Sequence, residues 1–103
     1  MNRIAMLTEI LTANPADSLA HYGLAMEYSK AGQVEEAVRE FKALIGENPD
    51  YTPAYFMGAQ TLANANRFDE AKRMLVDGIS SARRTGNAHA QSEMTAMLEE
   101  LKD

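Results

Sequence analysis

The 103-residue sequence has no cysteine, only three prolines and six glycines, and fewer basic than acidic residues. Without cysteine there are no disulfides, no thiol catalysis and no cysteine-type zinc or iron–sulfur ligation, and the redox compartment stays open. The formal net charge of −5 and a sequence pI near 5.0 argue against bulk binding to nucleic acid or to an anionic membrane. No apolar run approaches the ~20 residues that a membrane span needs. The N-terminus lacks the basic-then-apolar order of a signal peptide, so the expectation is a soluble, cytoplasmic domain. Period-2 runs of β-branched residues are missing, and with them any strand signal. Metal-binding H-x-x-x-H spacing, phosphate-cradling glycine loops and nucleophile elbows are missing too. These readings point to no enzyme, no metal and no cofactor. What is present, 46% hydrophobic and 24% charged residues, suffices for one modest core and argues against disorder.

The chain repeats itself. Shifted by 34 residues, the 36 pairs starting at residues 14 to 49 contain nine identities, among them Pro15/Pro49, Ala25/Ala59, Ala37/Ala71 and Ile45/Ile79. Ordinary residue frequencies give about two or three by chance. Tyr22/Phe56, Val34/Phe68 and Phe41/Leu75 are conservative pairs, and the match extends back through Ile4/Val38 and Leu7/Phe41. The chain therefore opens on the second half of a repeat.

Each repeat reads as two helices. Leu19, Ala20, Leu24, Tyr28 and Ala31 recur every three to four residues, the mark of an amphipathic helix. Asp17 or Ser18 can cap its start, and Gly32 stops it. The second helix runs from about Val34 to Ile45, ended by Gly46 and Asn48-Pro49. The next pair restarts at Thr52-Pro53, with threonine as the cap and proline at the first helical position, and its helices meet between Ala65 and Arg67. The period then breaks at Ser80-Ser81-Ala82-Arg83-Arg84. This predicts a helix prolonged by about a turn, a stop at Gly86, and a last helix capped by Asn87. That helix carries Ala90, Met94, Met97, Leu98 and Leu101 on one face, with Glu93, Glu99 and Glu100 mostly on the other.

The period and these residues resemble the tetratricopeptide repeat family, whose signature is tryptophan, leucine and glycine followed by tyrosine, alanine, phenylalanine and proline. His21, Leu24, Ala25, Tyr28, Ala37, Phe41 and Pro49 occupy those places in the first repeat, and Tyr55, Gly58, Ala59, Leu62, Ala71, Leu75 and Arg83 in the second. Gly58 and Arg83 depart from the pattern. The resemblance implies an all-α, right-handed α-α superhelix of tetratricopeptide helix pairs. The expected organisation is a half repeat over 1–15, repeats over 16–50 and 51–86, and a C-terminal capping helix over 87–103. The small residues Ala25, Ala37, Ala59 and Ala71 would let paired helices approach closely, with Tyr28 and Phe41 filling the space between neighbours.

The polar chemistry has plain explanations. His21 and His89 lie 68 positions apart. Glu35-Glu36 and Asp69-Glu70 fall in first turns, where carboxylates favour the helix dipole. Arg83 and Arg84 serve the dipole at a helix C-terminus or, with Lys72 and Arg73, dock an acidic peptide or phosphate. Met74, Met94 and Met97 fill core, whereas Met26 lies off the packing positions of its helix.

The resemblance places the first helix of each repeat on a concave surface. Carried onto this sequence, the groove residues are Leu19, Tyr22, Met26, Ser29, Lys30, Phe56, Gln60, Ala63 and Asn64. Tyr22 and Phe56 share a repeat position and should form adjacent aromatic surfaces, either open in the groove or packed under the last helix. Tyr22, Met26 and Met57 stand where a carboxylate-gripping subset of the family has lysine and asparagine, so a partly apolar peptide or helix of another protein is the expected guest. The alternative is a structural subunit that self-associates weakly through its N-terminal helix, where Met6 and Ile10 form a second apolar stripe.

Overall fold

Helix starts and stops follow from local chemistry. The computed structural model describes residues 2–102, which form α1 (Arg3–Ala13), α2 (Ser18–Lys30), α3 (Val34–Glu47), α4 (Thr52–Asn64), α5 (Phe68–Arg84) and α6 (Ala88–Leu101). Asn2, Asp17 and Asn87 cap α1, α2 and α6 by accepting the backbone N–H of Ala5, Ala20 and Ala90, which satisfies donors that a helix start leaves free. Left-handed residues turn the chain after α2, α4 and α5: Gly32, Asn66 and Gly86, with φ of 76°, 62° and 67°. Gly32 and Asn66 stand one period apart. Asparagine serves there because its short polar side chain tolerates the conformation.

Two boundary expectations are corrected. Gly46 does not end α3, which runs through it to Glu47. Thr52 does not cap α4: it is the first helical residue, after Tyr51, and its hydroxyl meets that of Ser81 at 3.0 Å. Both side chains are buried, so this bond joins α4 to α5 where water is excluded.

Helices adjacent in sequence pack in space, and beyond them α2 touches α4 and α4 touches α6. The resulting superhelix of stacked pairs measures 42 × 29 × 18 Å. Ala25, Ala37, Ala59 and Ala71 are all completely buried, as close helix crossings require. Around them lie two clusters, one centred on Phe41 and Leu44, the other on Leu62, Leu75 and Met94. Gly58 replaces the signature leucine because the Met74 thioether of α5 already fills the space a Cβ would take. At the missing proline, α5 continues instead, and Arg84 reaches back to the Asp50 carboxylate at 3.0 Å and the Pro49 carbonyl at 3.2 Å.

His21 is structural. Its Nδ1 lies 2.9 Å from the Glu40 carboxylate and its Nε2 2.8 Å from the Pro15 carbonyl, two acceptors that only a doubly protonated imidazole satisfies together. Burial lowers its pKa, but the bonds to Glu40 and Pro15 outweigh burial and raise it above 6.5.

Candidate functional site

The first helices of the pairs and the last helix line three cavities that share walls. One, of about 520 Å³, lies between α1 and α2 and is lined by Arg3, Leu7, Ile10, Leu19, Tyr22, Met26 and Lys30, among others. The second, of about 230 Å³, brings Tyr22 of α2 together with Pro53, Phe56 and Met57 of α4 and His89, Ala90 and Glu93 of α6. The third, of about 600 Å³, lies between α4 and α6 against Phe56, Gln60, Ala63, Asn64, Glu93, Met97, Glu100 and Leu101. Tyr22 links the first cavity to the second; Phe56 and Glu93 link the second to the third.

The nine expected groove residues therefore divide. Leu19, Tyr22, Met26 and Lys30 face the α1 side, and Phe56, Gln60, Ala63 and Asn64 face α6. Leu19 is 73% exposed. Met26 is not off the packing surface as its position suggested: it is half-buried against the Phe41 cluster, because α2 turns this side partly inward. Ser29 lines none of the three cavities, and its hydroxyl meets that of Thr61 on α4 at 2.8 Å. Lys30 lies 3.2 Å from the Glu27 carboxylate.

Tyr22 and Phe56 border the same cavity, but the rings nearest Tyr22 are those of Tyr51, with centroids 5.5 Å apart, and Phe41, at 6.3 Å. Both residues are half-buried. Burial, and then the neighbouring Tyr51, push the Tyr22 phenol above its usual pKa. Phe56, like Ala90, Met97 and Leu98 of α6, is partly buried against the second cluster, and it lines both cavities that α4 shares with α6.

The sequence reading missed one wall. Glu93, set on the solvent side of the last helix, borders two of the cavities, and Glu100 borders the third. The signal lay in the spacing of Glu93, Met97 and Glu100, which are four and three residues apart and so share a face. Of the basic residues considered for docking, Lys72, Arg73, Arg83 and Arg84 belong to α5 and line none of these three cavities.

Stacked helix pairs at a 34-residue period, with first helices along one hollow side, define a helical-repeat protein of the solenoid class. The tetratricopeptide repeat family model matches residues 4–57 and 28–92; the chain belongs to that family. Over 95 residues it is 24% identical to a TPR repeat-containing protein of Pseudomonas aeruginosa, covering 92% of this chain and 90% of that one. The solution structure of a tetratricopeptide repeat domain protein from Salinibacter ruber matches with a TM-score of 0.80 and 27% identity, over 86% of this chain and 90% of the other. PcrH, solved in complex with the chaperone binding region of PopD, matches with a TM-score of 0.87 and 15% identity over 95% of this chain and 74% of its own, a likeness of fold. Among the described residues no helix is long and apolar enough to cross a membrane, and no cluster of histidine and carboxylate side chains is arranged to hold a metal.

Proposed function

We propose that this chain is a non-catalytic protein-interaction module that seats a peptide or helical segment of another protein along the hollow side formed by α2, α4 and α6. The observation that carries this reading is the row of adjoining cavities with half-buried aromatic side chains at their junctions. Aromatic residues set in partly desolvated pockets are the usual energetic anchors of an interface, and Tyr22 and Phe56 hold that position, with Met26 beside them. Gln60 and Asn64 supply polar selection, Ala63 keeps the floor shallow, and Leu19 and Lys30 extend the surface towards α1. The complex of PcrH with a segment of PopD supports the reading by fold. The test is a comparison of stability with binding: Tyr22→Ala and Phe56→Ala should each weaken capture of a selected peptide by about 1–2 kcal/mol while the fold stays cooperative. Undiminished capture by both variants would refute it.

A second reading is self-association through α1. Arg3, Leu7 and Ile10 stand one period before Ala37, Phe41 and Leu44, which are completely buried. In α1 these three residues border a cavity instead; Ile10 is 40% exposed, and Met6, which does not line that cavity, is 44% exposed. Light scattering separates the two: a mass that rises with concentration and falls back in Met6→Lys and Ile10→Lys variants supports self-association, and a constant monomer mass excludes it.

A further inference from the structure

The α4–α6 half of the groove is electrically one-sided, and this specifies the guest that the proposed function leaves open. Between α4 and α6 the floor is Phe56, Ala63 and Met97, while the charged residues at its edge are Glu93 and Glu100. The adjoining cavity adds only His89. No lysine or arginine lines either of these two cavities: Arg3 and Lys30, which share the Glu27 carboxylate, border the separate α1–α2 cavity, and Lys102 of the α6 end lies on Glu99. Among the described residues Glu93 meets only the His89 imidazole, at 3.1 Å, an ion pair only when that ring is protonated. A guest that fills the floor strips water from both carboxylates, and burying a carboxylate without a partner is costly. Seven residues along α6 separate them by about 10 Å, a span an extended segment covers in about three residues.

Resting on the groove reading, we infer that the α4–α6 half of this groove takes a basic peptide segment, with one large apolar residue on the Phe56–Met97 floor and lysine or arginine side chains on Glu93 and Glu100. Acidic segments are repelled by the same pair.

The test is selection from a random-sequence peptide library displayed on phage, with the intact chain as bait. The enriched pool should carry lysine and arginine in excess over the input, around a large apolar residue. That excess should vanish on a Glu93→Gln/Glu100→Gln bait and persist on Glu9→Gln/Glu47→Gln, which removes equal charge from exposed sites elsewhere. A synthetic peptide from the pool should bind the Glu93→Gln/Glu100→Gln chain about three- to tenfold more weakly, and the difference should shrink in 0.5 M salt. No enrichment, no basic excess, or an excess indifferent to the loss of Glu93 and Glu100 would each overturn the inference. The groove reading fails separately, when Tyr22→Ala and Phe56→Ala leave the enriched pool unchanged. Circular dichroism of every bait verifies that it is folded.

Discussion

Gly78 stands in the middle of α5, where alanine would ordinarily improve a helix by about 1 kcal/mol. The packing reverses that sign. A Cβ at Gly78 would lie 2.5 Å from Met94 Sδ, 2.6 Å from Tyr55 Cβ and 3.1 Å from Tyr55 Cγ, against a comfortable separation of about 3.5–4.0 Å. The Met94 thioether can swing aside, but Tyr55 Cβ is fixed to the backbone of α4, so the two helices must part by about 1 Å. Overpacking of this kind costs about 1–3 kcal/mol. Net of the propensity gain, Gly78→Ala should destabilise the fold by up to about 2 kcal/mol, a fall in Tm on the order of 4–8 °C per kcal/mol. Gly46 in α3 has nothing within 4 Å of its Cβ position, so Gly46→Ala collects only the propensity term and should stabilise by about 0.5–1 kcal/mol. Urea titrations followed by circular dichroism, with m-values held equal, compare the two directly. A Gly78→Ala variant as stable as Gly46→Ala would refute the close approach of α4, α5 and α6.

Ala37→Leu and Ala71→Leu should each cost about 1–3 kcal/mol in the same titration, since both Cβ atoms are completely buried at helix crossings; an unchanged midpoint would mean the helices do not touch there. Asn66→Gly should stabilise by up to about 1 kcal/mol because φ of 62° suits glycine better, and a loss of stability would contradict that turn geometry. The His21 pKa is raised in the fold above 6.5, so the stability it adds is full below that value and disappears as pH rises through the folded pKa. The gap in urea midpoint between wild type and His21→Gln should therefore be wider at pH 6 than at pH 8.5, and a constant gap would contradict the pairing with Glu40.

The fold was legible because it is periodic: the 34-residue shift, the buried alanines and the stop at Gly32 repeat themselves, and each has a local physical cause. Gly58 reads as a defect only in isolation; its complement, Met74, lies sixteen residues on in the partner helix, and no single-helix pattern reveals such an exchange of volumes. Thr52 looked like a cap because threonine before proline usually is one, yet its hydroxyl is taken by Ser81 across the α4–α5 contact. The groove was half legible. Tyr22 and Phe56 follow from the repeat, but α6 arrives after an α5 lengthened by a turn, which shifts it out of the 34-residue frame. Glu93 and Glu100 could then be assigned a side only from the helix face they share with Met97.

Site-specific crosslinking tests the seating of a partner segment most directly. A benzoyl-phenylalanine placed at Ala63, on the groove floor, should capture the selected peptide on irradiation, and Tyr22→Ala or Phe56→Ala in the same chain should reduce the yield. The same group at Ala43, exposed on α3, should capture little. Equal yields at the two positions, or capture from Ala43 alone, would contradict the hollow side as the binding surface.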